Sequence, residues 1–239
     1  MSSFILPPDY HRIKLVHSFE ELVNSRFADG VNALCWQRTL AGDFEEVVAQ
    51  LAAAEDGAGI DAIDEDELAR LSLSAAGRVA ASVLIEDLRL LREHGLEPSL
   101  DCIHGYARDD QAEGIATDVF SFHVDSAPVT ADTYLCSYTE APSEGLRNDE
   151  AQRHVDIAAT RARLLGLYGK ADDADFLDFL NDQCYDLHYA AAAHAQPFSF
   201  GLGNLWRIAI VCPGSPVPPC IHRAPATAPG QAPRLLLIS

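Results

Sequence analysis

The sequence predicts an α+β fold: a double-stranded β-helix, or cupin-like jelly roll, preceded by helices and interrupted by a helical insertion. Three observations predict it. Residues 1–97 carry segments with apolar residues at helical spacing. From Pro98 onward the chain turns to short β-rich runs between turn residues, and a helical stretch at about 148–193 splits those runs into two groups. No internal repeat is visible. Residues 1–97 are therefore expected as a helical layer packed on a barrel of residues 98–239, the whole forming one structural unit.

The elements follow in chain order. Ser18 opens SFEELVNSR with Glu21 three residues on, the pattern of an N-cap and its capping-box partner. FEEVVAQLAAA after Asp43, and GRVAASVLIEDLRLLREHG ending at Gly95, have helical periodicity, and glycine accepts the left-handed conformation that closes a helix. Between them EDGAGIDAIDEDELARL reads as an acidic surface loop entering a short helix. Its carboxylates lack the spacing of a calcium loop. SLDCIHGYARD, TDVFSFHVD and DTYLCSYTE then read as strands, the insertion intervenes, and NLWRIAIVC, PCIHRAP and PRLLLIS resume the β pattern.

Composition narrows the partners. The chain has 239 residues, 48% of them hydrophobic, and a formal net charge of -19 with only 17 Lys plus Arg. Nucleic acid and anionic membrane surfaces require a basic face, so neither is expected as a partner. The N-terminus has no basic region followed by an apolar one, and no run approaches the roughly 18 apolar residues of a membrane span. A cytoplasmic location is expected. The six cysteines form no C-x-x-C pair, which fits buried free thiols better than a disulfide framework or structural zinc. Cys220 stands two residues before a histidine of interest, where a packed thiol is the plainer reading than a ligand.

The chemistry is concentrated in four residues. His123 and Asp125 lie two apart in TDVFSFHVDSAP, and His222 and Arg234 lie twelve apart in CIHRAPATAPGQAPRLLLIS. Two imidazoles and one carboxylate form the facial set that holds non-haem Fe(II) and leaves positions open. His-Val-Asp occurs twice, however, so the tripeptide alone defines nothing. The copy at His154 and Asp156 sits among helix formers, and helical positions i and i+2 do not face one another. The copy at His123 follows Val119, Phe120 and Phe122, a strand-like run on which i and i+2 share a face. In a small barrel, inward residues of distant strands converge at the mouth. The turn-rich APATAPGQAP would let PRLLLIS run antiparallel beside the strand of His222, so that Arg234 faces the same cavity and binds a carboxylate through its planar guanidinium.

At these residues the chain resembles the iron(II)- and 2-oxoglutarate-dependent dioxygenases, in H-x-D, a distal His and an Arg some ten to fourteen residues later. VNALCWQRTL, FHVD followed by YLCSYTEAPSEGL, and the terminal HRAP with RLLLIS are similar to an uncharacterised bacterial family known only as a domain of unknown function. The likeness spans most of the chain. It departs at Ala141, Pro142, Ser143 and Glu144, where the family pattern has a Gly-Pro-Gly-Thr turn followed by Trp. The resemblance implies Fe(II) on His123, Asp125 and His222. It also implies 2-oxoglutarate as cosubstrate anchored by Arg234 with a hydroxyl from Tyr134 or Tyr138, O2 as oxidant, and a small-molecule substrate such as an amino acid or related metabolite. Related halogenases lack the carboxylate ligand, so Asp125 points to hydroxylation or desaturation.

Arg147, Asn148, Arg207 and Arg223 are candidate substrate contacts by location. His104, His188 and His194 read more simply as ordinary partly buried histidines. The insertion is expected to cover the barrel mouth. Two further classes remain open at this level: a cupin-like metalloenzyme that needs no 2-oxoglutarate, and a non-catalytic metal-binding protein. Oligomeric state is not legible.

Overall fold

The computed structural model describes residues 5–54, 59–109, 112–226 and 231–239. The N-terminal third is not a purely helical layer. Three short strands, β1 (Ile13–Val16), β2 (Ala33–Trp36) and β3 (Ile60–Ala62), alternate with helices α1 (Phe19–Asn24), α2 (Phe44–Ala54), α3 (Glu65–Arg70) and α4 (Ala75–Glu93). IKLV, ALCW and IDA are too short for periodicity to separate strand from loop, and pairing across the sheet decides them. Helix starts follow the sequence closely. Ser18 Oγ accepts the Glu21 amide at 3.0 Å, although the Glu21 carboxylate reaches back to His17 N rather than to the cap itself. Asp64 and Glu67 complete a reciprocal capping box on α3. The lead into α2 crosses α4 so closely that a side chain at Gly42 (φ +113°) would come 2.4 Å from Ala80 N; only glycine fits.

The remaining strands are β4 (Ser99–Ile103), β5 (Asp132–Ser137), β6 (Glu144–Leu146), β7 (Ala151–Arg153), β8 (Tyr189–Ala191), β9 (Phe198–Ser199), β10 (Leu205–Ala209), β11 (Ile221–Arg223) and β12 (Arg234–Ile238). They build open sheets, with no closed barrel among the described residues. The large sheet has the order β1-β2-β10-β5-β12-β4-β3, antiparallel except for β1 with β2, and a small sheet has the order β11-β6-β9. β12 thus does not lie beside β11. It pairs with β4 and β5 in the large sheet, while β11 pairs with β6.

The insertion is mixed rather than helical: α5 (Ala158–Tyr168) and α6 (Ala174–Asp182) are enclosed by the antiparallel pair β7 and β8. Leu187 and Tyr189 pack with Phe122, Val124, Leu146 and Ile221, and a separate cluster of Val155, Leu164, Phe176 and Leu180 holds α5 to α6. Among the described residues no helix is long and apolar enough to cross a membrane.

Strand alternation sorts every side chain of the large sheet to one of two faces. Leu235 and Leu237, with Tyr134, Cys136 and Tyr138, join Leu84, Leu88 and Leu91 of α4 and Val47 and Val48 of α2. Each fully buried leucine there contributes about 1.5–3 kcal/mol. Beneath them Arg38 and Asp87 form a buried bidentate pair at 2.6 and 2.8 Å, and Tyr138 donates to the same carboxylate at 2.6 Å. The opposite face carries Ile103, Leu135, Trp206, Ile208 and Leu236, clustered with Phe198, Phe200 and Cys220 from the side of the small sheet. The second core therefore lies between the sheets.

Candidate metal centre

Residues 119–122 are not a strand. Asp118 accepts the amides of Phe120 at 3.0 Å and Ser121 at 3.2 Å, folding the segment into a turn that delivers His123 to the sheet edge. There the chain becomes extended. His123 and His222 exchange both backbone hydrogen bonds at 2.9 Å, which adds this segment to the small sheet beside β11. Directly paired residues project to the same face, and the two rings stand 4.6 Å apart between centroids. Asp125, two residues on, shares that face. One ligand atom each from His123, Asp125 and His222 all lie within 4.8 Å of one another.

Local hydrogen bonds prepare the three donors. The His123 Nδ1 and His222 Nδ1 atoms face the carbonyls of Ser121 at 2.8 Å and Cys220 at 3.3 Å. An N–H at each Nδ1 leaves the Nε2 lone pair free, the tautomer that a metal takes. Thr133 donates to Asp125 Oδ2 at 2.6 Å and fixes the rotation of the carboxylate. His222 Nε2 lies 3.7 Å from the same oxygen. Cis donors about 2.1 Å from one ion sit roughly 3 Å apart, so this pair would close by less than an ångström on a metal, and the set as a whole, within 4.8 Å, by no more than about 2 Å.

Charge is tuned in the same sense. Burial, reinforced by the neighbouring His222, pushes His123 down to about 4. Burial opposes ionisation of Asp125, yet His222 and the Thr133 hydrogen bond outweigh it and hold the carboxyl below its usual value. A neutral imidazole and an ionised carboxylate are the forms that bind a cation. The donor set therefore fits a divalent metal. Cys220 is buried beside it, and burial together with the Asp125 charge pushes its thiol up to about 12, which keeps it protonated.

Arg234 approaches from the facing sheet. Its cross-strand partner Ile103 and its same-face neighbour Leu236 belong to the inter-sheet cluster with Phe200, whose ring stacks 6.5 Å from His222. Arg234 is 2% exposed. Nε donates to the Ala141 carbonyl at 2.7 Å, and the terminal nitrogens reach Ser143 Oγ at 3.3 Å, Tyr106 Oη at 3.4 Å and Ser137 Oγ at 3.5 Å. No carboxylate among the described residues pairs with it, and burial lowers its pKa. Ala141 and Ser143 form half of this cradle.

The other expected contacts lie elsewhere. Tyr134 in β5 and Tyr138 just after it are on the helix-facing side, opposite in parity to Thr133 and Ser137; the tyrosine hydroxyl beside Arg234 is that of Tyr106. Arg207 faces the helices as well, caps the end of α1 through the carbonyls of Leu22, Val23 and Ser25, and pairs with Asp132 at 2.7 Å. Arg223 pairs with Glu144 at 2.7 Å and covers the Phe122 ring. Arg147 is engaged with Asp149 and Pro8, and Asn148 ties Tyr10 and Asn32 to Pro219. His154 and Asp156 occupy a 3-10 turn, with the carboxylate on Arg153, and neither belongs to the converging group.

Sequence reasoning missed Thr133, Tyr106, Ser137 and Ser143. Alternation along DTYLCSY places Thr133 and Ser137 on one face and both tyrosines on the other, but pairing alone shows which face is the interior. No family model, curated protein or solved structure matches the chain.

Proposed function

We propose that the chain is a non-haem Fe(II)- and 2-oxoglutarate-dependent oxygenase that hydroxylates or desaturates a small molecule. The observation that carries this reading is the convergence of two Nε2 lone pairs and one carboxylate on one sheet face, which leaves the remaining positions of a metal open. Strand order supports the jelly-roll form of the fold. The central strands of the large sheet run β10-β5-β12-β4, and His123 extends the small sheet to a line of four, His123-β11-β6-β9, as two facing four-stranded sheets require.

Arg234 would take the distal carboxylate of 2-oxoglutarate, with Tyr106, Ser137 and Ser143 holding the guanidinium in place. Iron, when bound, would couple oxidative decarboxylation of 2-oxoglutarate by O2 to oxidation of a substrate C–H bond. The protein's own part is positioning: Thr133 aims Asp125, the Ser121 and Cys220 carbonyls aim the two imidazoles, and the inter-sheet aromatics exclude water. An Arg234 that binds a substrate carboxylate directly would instead give a cupin-like metalloenzyme. Anaerobic addition of Fe(II) and then 2-oxoglutarate separates the two, since a visible charge-transfer band requires keto-acid chelation to iron. Binding of Zn(II) with no response to Fe(II) would favour a non-catalytic metal-binding protein.

A further inference from the structure

A buried hydrogen-bonding group stands unused beside the candidate ligands. The insertion passes the edge of the small sheet so that Val124 N donates to Leu187 O and Tyr189 N to Phe122 O, which makes His188 the direct cross-strand partner of His123. His188 and His222 therefore flank His123 on the same face. The ring of His188 lies 5.6 Å from that of His123, on the side away from His222, and outside the group whose donor atoms converge. His188 is 5% exposed, and its Nδ1 is buried with no hydrogen-bond partner among the described residues. Burying a polar nitrogen unpaired is unfavourable, and native chains retain such groups mainly where something else completes them.

We propose that His188 is a specificity-determining residue, whose ring nitrogen bonds an uncharged polar group, an amide or hydroxyl, of the substrate held beside His123. This rests on the oxygenase reading above for the word substrate, but the contact itself stands on geometry. Rotation about the Cβ–Cγ bond exchanges ring nitrogens with ring carbons and brings the unpaired nitrogen to either side. The site is open to an occupant, since the Asp125 side chain is 29% exposed. A neutral imidazole offers one N–H and one lone pair. An amide or alcohol matches both; a carboxylate has only acceptors and an ammonium only donors.

The test uses protein with 15N-labelled histidines, loaded with Zn(II) as a diamagnetic stand-in, and acetamide, acetate and ethylammonium as probes. Long-range 1H–15N correlation reads the ring nitrogens of His188. Acetamide should shift them saturably while acetate and ethylammonium leave them unmoved. In His188→Phe the acetamide response at His123 should weaken about tenfold, His188→Asn should restore part of it, and both variants should keep Zn(II) affinity within about twofold. A saturable response to acetate or ethylammonium, or none to any probe, would overturn the proposal. If the parent chain binds no metal, the oxygenase reading fails by itself, and the same titration on the metal-free protein still decides the role of His188.

Discussion

Replacing Arg234 by leucine separates cosubstrate binding from metal binding. In the structure only the bond to the Ala141 carbonyl is short, at 2.7 Å; the three hydroxyl contacts lie at 3.3 to 3.5 Å, and no carboxylate among the described residues answers the charge. The guanidinium thus keeps donor capacity for a carboxylate. Such a charge-assisted, bidentate contact is worth about 1.5–3 kcal/mol, so its loss should weaken 2-oxoglutarate by about 10- to 150-fold. Stability should change far less. Leucine ends the cost of burying an unpaired cation but strands the Ala141 carbonyl, and the two effects oppose each other. The assay is anaerobic isothermal titration of 2-oxoglutarate into metal-loaded parent and variant, with a metal titration alongside. Unaltered 2-oxoglutarate affinity in Arg234→Leu would refute the anchor, and Arg207 and Arg223 could not replace it without leaving Asp132 and Glu144.

Further outcomes follow from the same geometry. Thr133→Val keeps the shape of the side chain but releases Asp125, so metal affinity should fall about 10- to 100-fold; titration with Mn(II) or Zn(II) reads this, and an unchanged constant would remove Thr133 from the site. His123 and His188 are both pushed down to about 4 in the folded chain, against roughly 6.5 when unfolded. Between those values the unfolded chain binds more protons, so the stability of the metal-free protein should be fully present above about pH 6.5 and fall as pH drops toward 4. Urea unfolding at stepped pH measures it, and a flat profile across that window would contradict the two buried neutral rings. His154→Ala removes the other His-Val-Asp histidine and should leave metal affinity intact; a loss there would mean the wrong copy had been chosen.

Much of the fold was legible because local chemistry is strong where the chain is regular. Asp43, Asp64 and Ser74 cap α2, α3 and α4 through side-chain oxygens, and periodicity carried α2 and α4. The short strands of the first third escaped, since four residues such as IKLV hold too little pattern to overcome a helical context. That His123, Asp125 and His222 come together was expected from their spacing, for a reason partly mistaken. Val119 and Phe120 look like strand, yet the Asp118 side chain folds them into a turn, and the facing of His123 and Asp125 comes from pairing with His222. The surroundings of Arg234 and Asp125 were the least legible part. Choosing Tyr134 and Tyr138 over Thr133 and Tyr106 was a choice of sheet face, and a face is set by partners far away in sequence.

The account stands on one metal held by His123, Asp125 and His222 with positions left open for a keto acid. The most direct measurement is anaerobic titration of Fe(II) and then 2-oxoglutarate into the parent chain and His222→Ala, followed by visible absorption. The account predicts one iron per chain and a charge-transfer band in the parent, with neither in His222→Ala. Parent-like iron binding in His222→Ala, or a parent that binds iron but gives no band with 2-oxoglutarate, would contradict it.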